Sequence, residues 1–430
     1  MLETIKNAWK VVDLRKKILF TLFIIVIFRI GSVIPVPFID PVALGESMAE
    51  SENIFFNYLS TLTGGGLQYG AIFAMGVTPY INSSIIMQLL TVAIPYYERL
   101  SKQDEEGRKI IAKHTRFATV ILGLIQGIAF YIYLNNNNML SVQSNGMKWF
   151  AGFVVVLTLT AGSALVMWLG EQIDAKGIGN GISILLFAGI ISRAPDAGAA
   201  LISWWQAGEQ VAAVSIVVVF LLVIAFIVWM SNAERRLAIQ YPKRVVGRKI
   251  YGGQNTHLPI KVNMSGVMPI IFASSILMIP TMILSFWNKP DRPLYKILTL
   301  FSTQGVFYAV LYFAMIIAFA YFYVTIQYDP DKMADDLKKN GGGSIPGIRS
   351  GQPTADFIRK VLSRVTLIGA LCLSVIAVGP ILFALFSPAF QNISVGGTSV
   401  LIIVGVALEI VNNLEGQLLA RNSNYKGFLD

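Results

Sequence analysis

Residues able to do chemistry are scarce along the apolar stretches of this 430-residue chain. Arg29 and Glu409 are the charged side chains inside them, with Arg116 at the edge of another. A proton- or ion-coupled carrier needs carboxylates or cations near the membrane midplane, so the pattern argues against that class. The two histidines, His114 and His257, fall in charged loops, and no HExxH, Walker A loop or nucleophile elbow occurs. Gly177-Ile178-Gly179-Asn180-Gly181 has the glycines of a dinucleotide loop, but no strand precedes it. The lone cysteine, Cys372, has no partner for an intrachain disulfide. The sequence therefore argues against an integral enzyme. No catalytic residue, metal ligand or cofactor is expected, and energy for any transport must come from elsewhere.

What remains at span depth is uncharged. Val77, Ile81 and Ile85 recur every four residues and so share one helix face. Asn82, Ser83 and Gln88 are polar without charge, and Pro79 either kinks the span or marks its first turn. The polar residues read in two ways. They are hydrogen-bonding glue between helices, or part of a wall that alternates between lipid, protein and water, with branched side chains at a narrow point. The preceding residues 36–70 are unlike an ordinary loop. They pass from Pro37 and Pro41 through Glu46, Glu50 and Glu52 to an apolar run ending at Leu59, and then to Gly64-Gly65-Gly66. That run is too short to span. It is either a re-entrant half-helix, tolerated at membrane depth only inside protein or a wet cavity, or an interfacial helix on the outer leaflet.

The elements that must position these residues follow from composition. Hydrophobic residues make up 55% of the chain and charged residues 13%, against about a quarter charged in soluble domains. Ten spans are expected, near 18–35, 71–92, 115–134, 149–169, 181–192, 212–231, 264–286, 304–327, 365–386 and 396–414. With Arg116 counted in the adjoining loop, 28 of the 34 Lys and Arg fall in the termini and alternate loops, and five in the loops between. The positive-inside rule places the richer set and both termini in the cytosol. Anionic lipid and this bias explain most of the net charge of +10, so no sequence-specific nucleic-acid binding is expected. The basic stretch Lys6 to Lys17 leads into an apolar run without a clear cleavage site before Pro35, which reads as an uncleaved first span.

Two cytosolic loops, 232–263 and 328–364, are too long for connectors, and their glycines (Gly252-Gly253, Gly341-Gly342-Gly343) suggest protruding hairpin or loop tips. They are either solvated segments that only set topology or a docking platform. Five spans per half force the second half to be inverted, and inverted repeats build a central path. The expected halves are 1–211 and 212–430.

Eight segments in order resemble the bacterial SecY family. They are 29–37 (RIGSVIPVP), 74–81 (AMGVTPYI), 167–173 (MWLGEQI), 177–183 (GIGNGIS), 256–263 (THLPIKVN), 333–339 (MADDLKK), 346–349 (PGIR) and 396–399 (GGTS). The resemblance implies an all-α polytopic membrane protein, with ten helices in two inverted five-helix halves around a central hourglass pore. Its work would be conduction of unfolded secretory polypeptides across a bacterial cytoplasmic membrane. It implies a pore ring of Val77, Ile81, Leu186, Ile271 and Ile402, with Ile85 beside it. It implies a plug over about 57–70, involving Asn57, Tyr58, Leu59, Leu62, Gly64, Gly65, Leu67 and Tyr69. A lateral gate would lie between the spans at 71–92 and 264–286, with Asn82, Ser83 and Gln88 facing Ser274 and Ser275. Arg244, Arg248, Lys249, His257, Lys338, Lys339 and Arg349 would dock partners. The implied partners are the membrane subunits SecE and SecG, the ATPase SecA, the ribosome with its nascent chain, signal peptides and preproteins, and lipid. Ser350 departs from the family's proline after that arginine, an extra glycine precedes the motif, and Val77 and Leu186 replace commoner isoleucines. Two rival classes remain. A solute carrier would need a midplane site with ionisable or unwound-backbone ligands, and a scaffold would leave the ring indifferent to polar substitution.

Overall fold

The computed structural model describes residues 2–50, 59–103, 105–142, 144–208, 210–240, 244–246, 249–251, 255–286, 298–299, 301, 305–339, 345–386 and 396–419. Packing divides the chain into two compact units. One holds Met1–Val217, Ser275–Gly305 and Ile402–Asp430; the other holds Val218–Ser274 and Val306–Leu401.

The first unit begins with α1 (Leu2–Lys10) and α2 (Val12–Gly31), continues to α3 (Pro41–Glu50), and folds back through 59–76 into α4 (Thr78–Ala93). Then come α5 (Pro95–Lys102), α6 (Glu105–Asn136), α7 (Asn145–Lys176), α8 (Gly181–Ile191) and α9 (Ala194–Gln206). The long pair α6–α7 is its frame. Thr115, Thr119, Gly123 and Gly127 repeat at four residues and are buried along one ridge of α6. A Cβ on Gly123 would sit 2.8 Å from Ser163 Oγ, so the missing side chain is what lets α7 approach. Lipid gives two apolar helices little reason to associate, and close backbone approach over small residues supplies it. At one end of the pair Arg116 Nε donates to Glu171 Oε1 at 2.6 Å. The glycine-rich turn at 177–181 is a helix entry, not a nucleotide loop. Asn180 caps α8 by accepting from the Ser183 amide at 3.1 Å, and Asp174 Oδ1 accepts from the Gly181 amide at 2.7 Å.

From α10 (Gln210–Asn232) the chain enters the second unit. Strands β1 (Glu234–Gln240), β2 (Arg244–Val246), β3 (Lys249–Tyr251) and β4 (Asn255–Lys261) follow, then α11 (Met268–Phe286), α12 (Val306–Gln327), α13 (Pro330–Lys339) and α14 (Gln352–Phe386). β1 pairs antiparallel with β4, from Glu234 opposite Lys261 to Gln240 opposite Asn255, and β2 pairs with β3. Leu237 and Ile239 are buried between exposed neighbours, the period-two pattern of a strand with one covered face. Leu237 and Ile260 share a core with Ile345, Ile358, Leu362 and Val365, and Met333 and Leu337 of α13 pack against it. The two charged segments, 232–263 and 328–364, thus share one packed core. The glycines expected at its hairpin tip, 252–253, lie outside the described residues. The last helix, α15 (Gly396–Leu419), returns to the first unit from Ile402 onward, where Leu414 and Leu418 join Ala8, Leu14 and Ile178 in one cluster.

Among the described residues seven helices are long and apolar enough to cross a membrane. The expected spans at 18–35, 71–92 and 264–286 are α2, α4 and α11, and with them the fold accommodates ten. α2 starts in the basic run Arg15-Lys16-Lys17, and α4 has 16 residues. α4 is shorter than expected because 71–76 is turn, with Gly76 at φ +53°. Pro79 stands in its first turn. The fifth expected span, 181–192, ends as α8, and the chain continues after Arg193 as α9, with Pro195 in its first turn.

Candidate functional site

The site begins with the fold-back. Residues 59–62 are helical and 63–70 turn. Gly64, Gly65 and Gly70 take φ +66°, +85° and +57°, a region that disfavours side chains. Leu59, Leu62 and Leu67 are buried, Tyr69 is exposed, and no charge occurs between Leu59 and Gly76. Leu59, Leu67, Ala74 and Met75 pack with Val36, Ile39, Leu44, Phe130, Leu134 and Leu159. The segment therefore lies inside protein. Its far end is sewn to the end of α2 by backbone bonds. The Val36 amide donates to the Gly70 carbonyl (2.8 Å), the Ile72 amide to Ile34 (2.9 Å), and the Phe73 amide to Gly31 (3.3 Å). A Cβ on Gly162 of α7 would run into the Ile72 carbonyl. Irregular backbone survives in such a place because its polar groups find partners there. Asn57 and Tyr58 lie outside the described residues.

The aliphatic face follows at once. The Ile81 amide donates to the Val77 carbonyl at 3.0 Å, so Val77, Ile81 and Ile85 stack along α4. All three are buried, as are Leu186 in α8, Ile402 in α15 and Ile271 in α11. Ile271 belongs to the second unit and the other five to the first. Such side chains offer an ion no ligand, and an apolar constriction resists ions by staying dry.

The gate candidates differ among themselves. Gln88 Nε2 donates to Ser84 Oγ at 3.5 Å and Ser274 Oγ to the Ile271 carbonyl at 3.0 Å, both within their own helices. Asn82 and Ser275 are half-buried. Ser83 is fully buried, and its hydroxyl finds no partner among the described residues. Of the docking candidates, His257 is exposed on β4, Lys338 and Lys339 end α13, and Arg349 is exposed with its carbonyl accepting from Thr354 Oγ1 at 2.8 Å. Arg244 starts β2 and Lys249 starts β3, while Arg248 lies outside the described residues.

Two residues of the site escaped sequence reasoning as contacts. Arg29 Nη1 donates to the Gly64 carbonyl at 2.7 Å, and Arg193 Nη1 to Ser60 Oγ at 3.4 Å. Arg29 was visible as the charge inside the first span. Arg193 carried only a faint signal, a single cation directly after an apolar helix.

A family model described as SecY matches residues 71–411. The protein translocase subunit SecY of Bacillus subtilis is 43% identical over 439 residues, covering 100% of both chains. Among solved structures, one described as a protein-conducting channel superposes with TM-score 0.69 at 17% identity, over 95% of this chain and 94% of that one. A canine Sec61 in a ribosome–channel complex from the endoplasmic reticulum gives 0.65 at 17% identity, over 95% and 94%.

Proposed function

This chain belongs to the SecY family, and we propose that it is the channel-forming subunit of a protein translocase. It passes unfolded secretory polypeptides across the cytoplasmic membrane of a bacterium and releases apolar segments sideways into lipid. The observation that carries this reading is the buried, uncharged fold-back at 59–76, which runs directly into the aliphatic face of α4.

A conduit for every sequence cannot contain a binding site for any one of them. Val77, Ile81, Leu186, Ile271 and Ile402, with Ile85, serve as a ring that gives a passing chain no polar partner. A charge at mid-membrane depth costs about 2.5–3.5 kcal/mol on insertion scales, so a dry ring is a barrier at rest. Residues 57–70 close it as the plug. Halves 1–211 and 212–430, inverted relative to each other, enclose the path. An apolar nascent segment gains about 25 cal/mol per Å² on leaving water, which drives it out through a gate carrying Asn82, Ser83, Gln88, Ser274 and Ser275. Interhelical hydrogen bonds average about 0.6 kcal/mol, weak enough for such a gate to open.

The chain itself is a passive pore and not an enzyme. SecA or a translating ribosome supplies the work, docking on the platform through Arg244, Arg248, Lys249, His257, Lys338, Lys339 and Arg349, while SecE and SecG complete the membrane complex. Both termini face the cytosol. The test is reconstitution with SecE, SecG and SecA in vesicles, scoring ATP-dependent protease protection of an unfolded preprotein. Protection is expected, and its absence with a motor proven on another channel refutes the reading. Ile402→Asn should raise ion leak or relax signal-peptide selectivity; a scaffold would show neither change.

A further inference from the structure

The fold-back is held differently at its two ends. From Gly70 to Phe73 it is tied to the end of α2 by the three backbone hydrogen bonds described above. At 59–64 two arginine side chains from elsewhere in the first unit donate to it, among the described residues. Arg29 Nη1, on α2, donates to the Gly64 carbonyl at 2.7 Å. Arg193 Nη1, in the break between α8 and α9, reaches Ser60 Oγ at 3.4 Å, and its Nε lies 3.7 Å from Asp196 Oδ2. Ser60 is fully buried.

The surroundings are shaped for this contact. A Cβ on Gly64 would collide with Ser192 Oγ and come within 2.7 Å of Arg29 Nη1 and 2.8 Å of the Gly189 carbonyl. A Cβ on Gly189 would collide with the Leu62 carbonyl. Glycines at both positions let the fold-back lie backbone to backbone on α8, within reach of both guanidinium groups. An arginine inside a span is costly unless it pairs with a carbonyl or a charge, and a charge-assisted hydrogen bond is roughly twice as strong as a neutral one. Each contact joins a guanidinium to an uncharged oxygen, so opening strands the guanidinium alone, and that cost favours the closed contact.

We propose that Arg29 and Arg193 are positioning residues forming a two-point latch that holds the 59–64 end of the plug, with 70–73 as the pivot about which it swings. This rests on the reading of residues 57–70 as the plug. The latch sets how readily the resting channel opens, so a signal peptide must overcome it as well as the ring.

The experiment measures resting ion conductance per channel, and export of a preprotein with a crippled signal peptide, in the reconstituted translocase. Arg29→Gln and Arg193→Gln are compared with the parent and with Ile402→Asn. Loss of one hydrogen bond to a charged group predicts a rise of roughly tenfold in resting leak, with crippled preproteins accepted and normal preproteins moved at the parental rate. An arginine that merely supports the fold would instead lower the amount of channel and its transport rate without added leak per channel. If Arg29→Gln fails to accumulate, Arg193→Gln carries the test alone. Parental leak and parental selectivity in the arginine variants, beside a leaky Ile402→Asn, overturn the latch and leave the channel standing. If the parent moves no preprotein and Ile402→Asn does not leak, both readings fall together.

Discussion

At the scale of single residues the site works by what its side chains lack. Ile81 is buried on the face it shares with Val77 and Ile85, and Ile81→Asn would place an amide where no partner is evident. The expected result is faster chloride efflux from vesicles holding the variant, with expression unchanged. Gly189→Val tests the close approach directly. The Cβ of that valine would collide with the Leu62 carbonyl, and overpacking costs about 1–3 kcal/mol. The clash falls on the 59–64 segment itself, so that segment should shift away from α8. Protease or thiol-reagent access to a cysteine placed at Leu62 should therefore rise before the melting temperature falls much. Spacing made the Val77 face legible in the sequence, since a period of four needs no tertiary information. The glycines were not legible as contacts, because nothing in the chain marks which carbonyl each will meet.

At the scale of elements, α6 and α7 show how the membrane part coheres. Gly123→Leu should push α7 away from the Thr115–Gly127 ridge and lower thermal stability by about 1–3 kcal/mol, read as loss of folded protein in a detergent melt. The packed body of β1, β4, α13 and the start of α14 depends on a different force, burial of apolar area in water. Ile358 is fully buried in it, so Ile358→Ala should cost about 2–5 kcal/mol. Trypsin should then cut faster within 232–263 and 328–364 while the membrane helices stay protected. Span positions were legible because hydropathy reports them. α9 was hidden because Pro195 reads as an interruption, although proline is at home in a first helical turn. α3 was hidden because its acidic residues read as loop. Pairing of β1 with β4, and its burial against α13 and α14, required contacts distant in sequence that no local pattern encodes.

At the scale of the whole molecule, the family resemblance found in eight short segments extends over the full chain at 43% identity to the Bacillus subtilis relative. If Lys338, Lys339 and Arg349 dock a partner as proposed, reversing them to glutamate should slow its association and change its dependence on salt, since steering by exposed charge acts mainly on the on-rate. Binding kinetics at two ionic strengths measure it, and unchanged rates at both would remove these residues from the docking surface. Segments 232–263 and 328–364, sharing one packed core, also share a mechanical fate. β1 leaves α10 after a single residue, and the Val262 amide donates to the Ala233 carbonyl at 2.8 Å where the ladder meets the end of that helix. A Cβ on Gly369 of α14 would strike the Val262 carbonyl, so that helix is braced against the same point. A load placed on the β1–β4 ladder or on α13 is therefore shared through that core and passed as torque to the roots of α10, α14 and the chain entering α11.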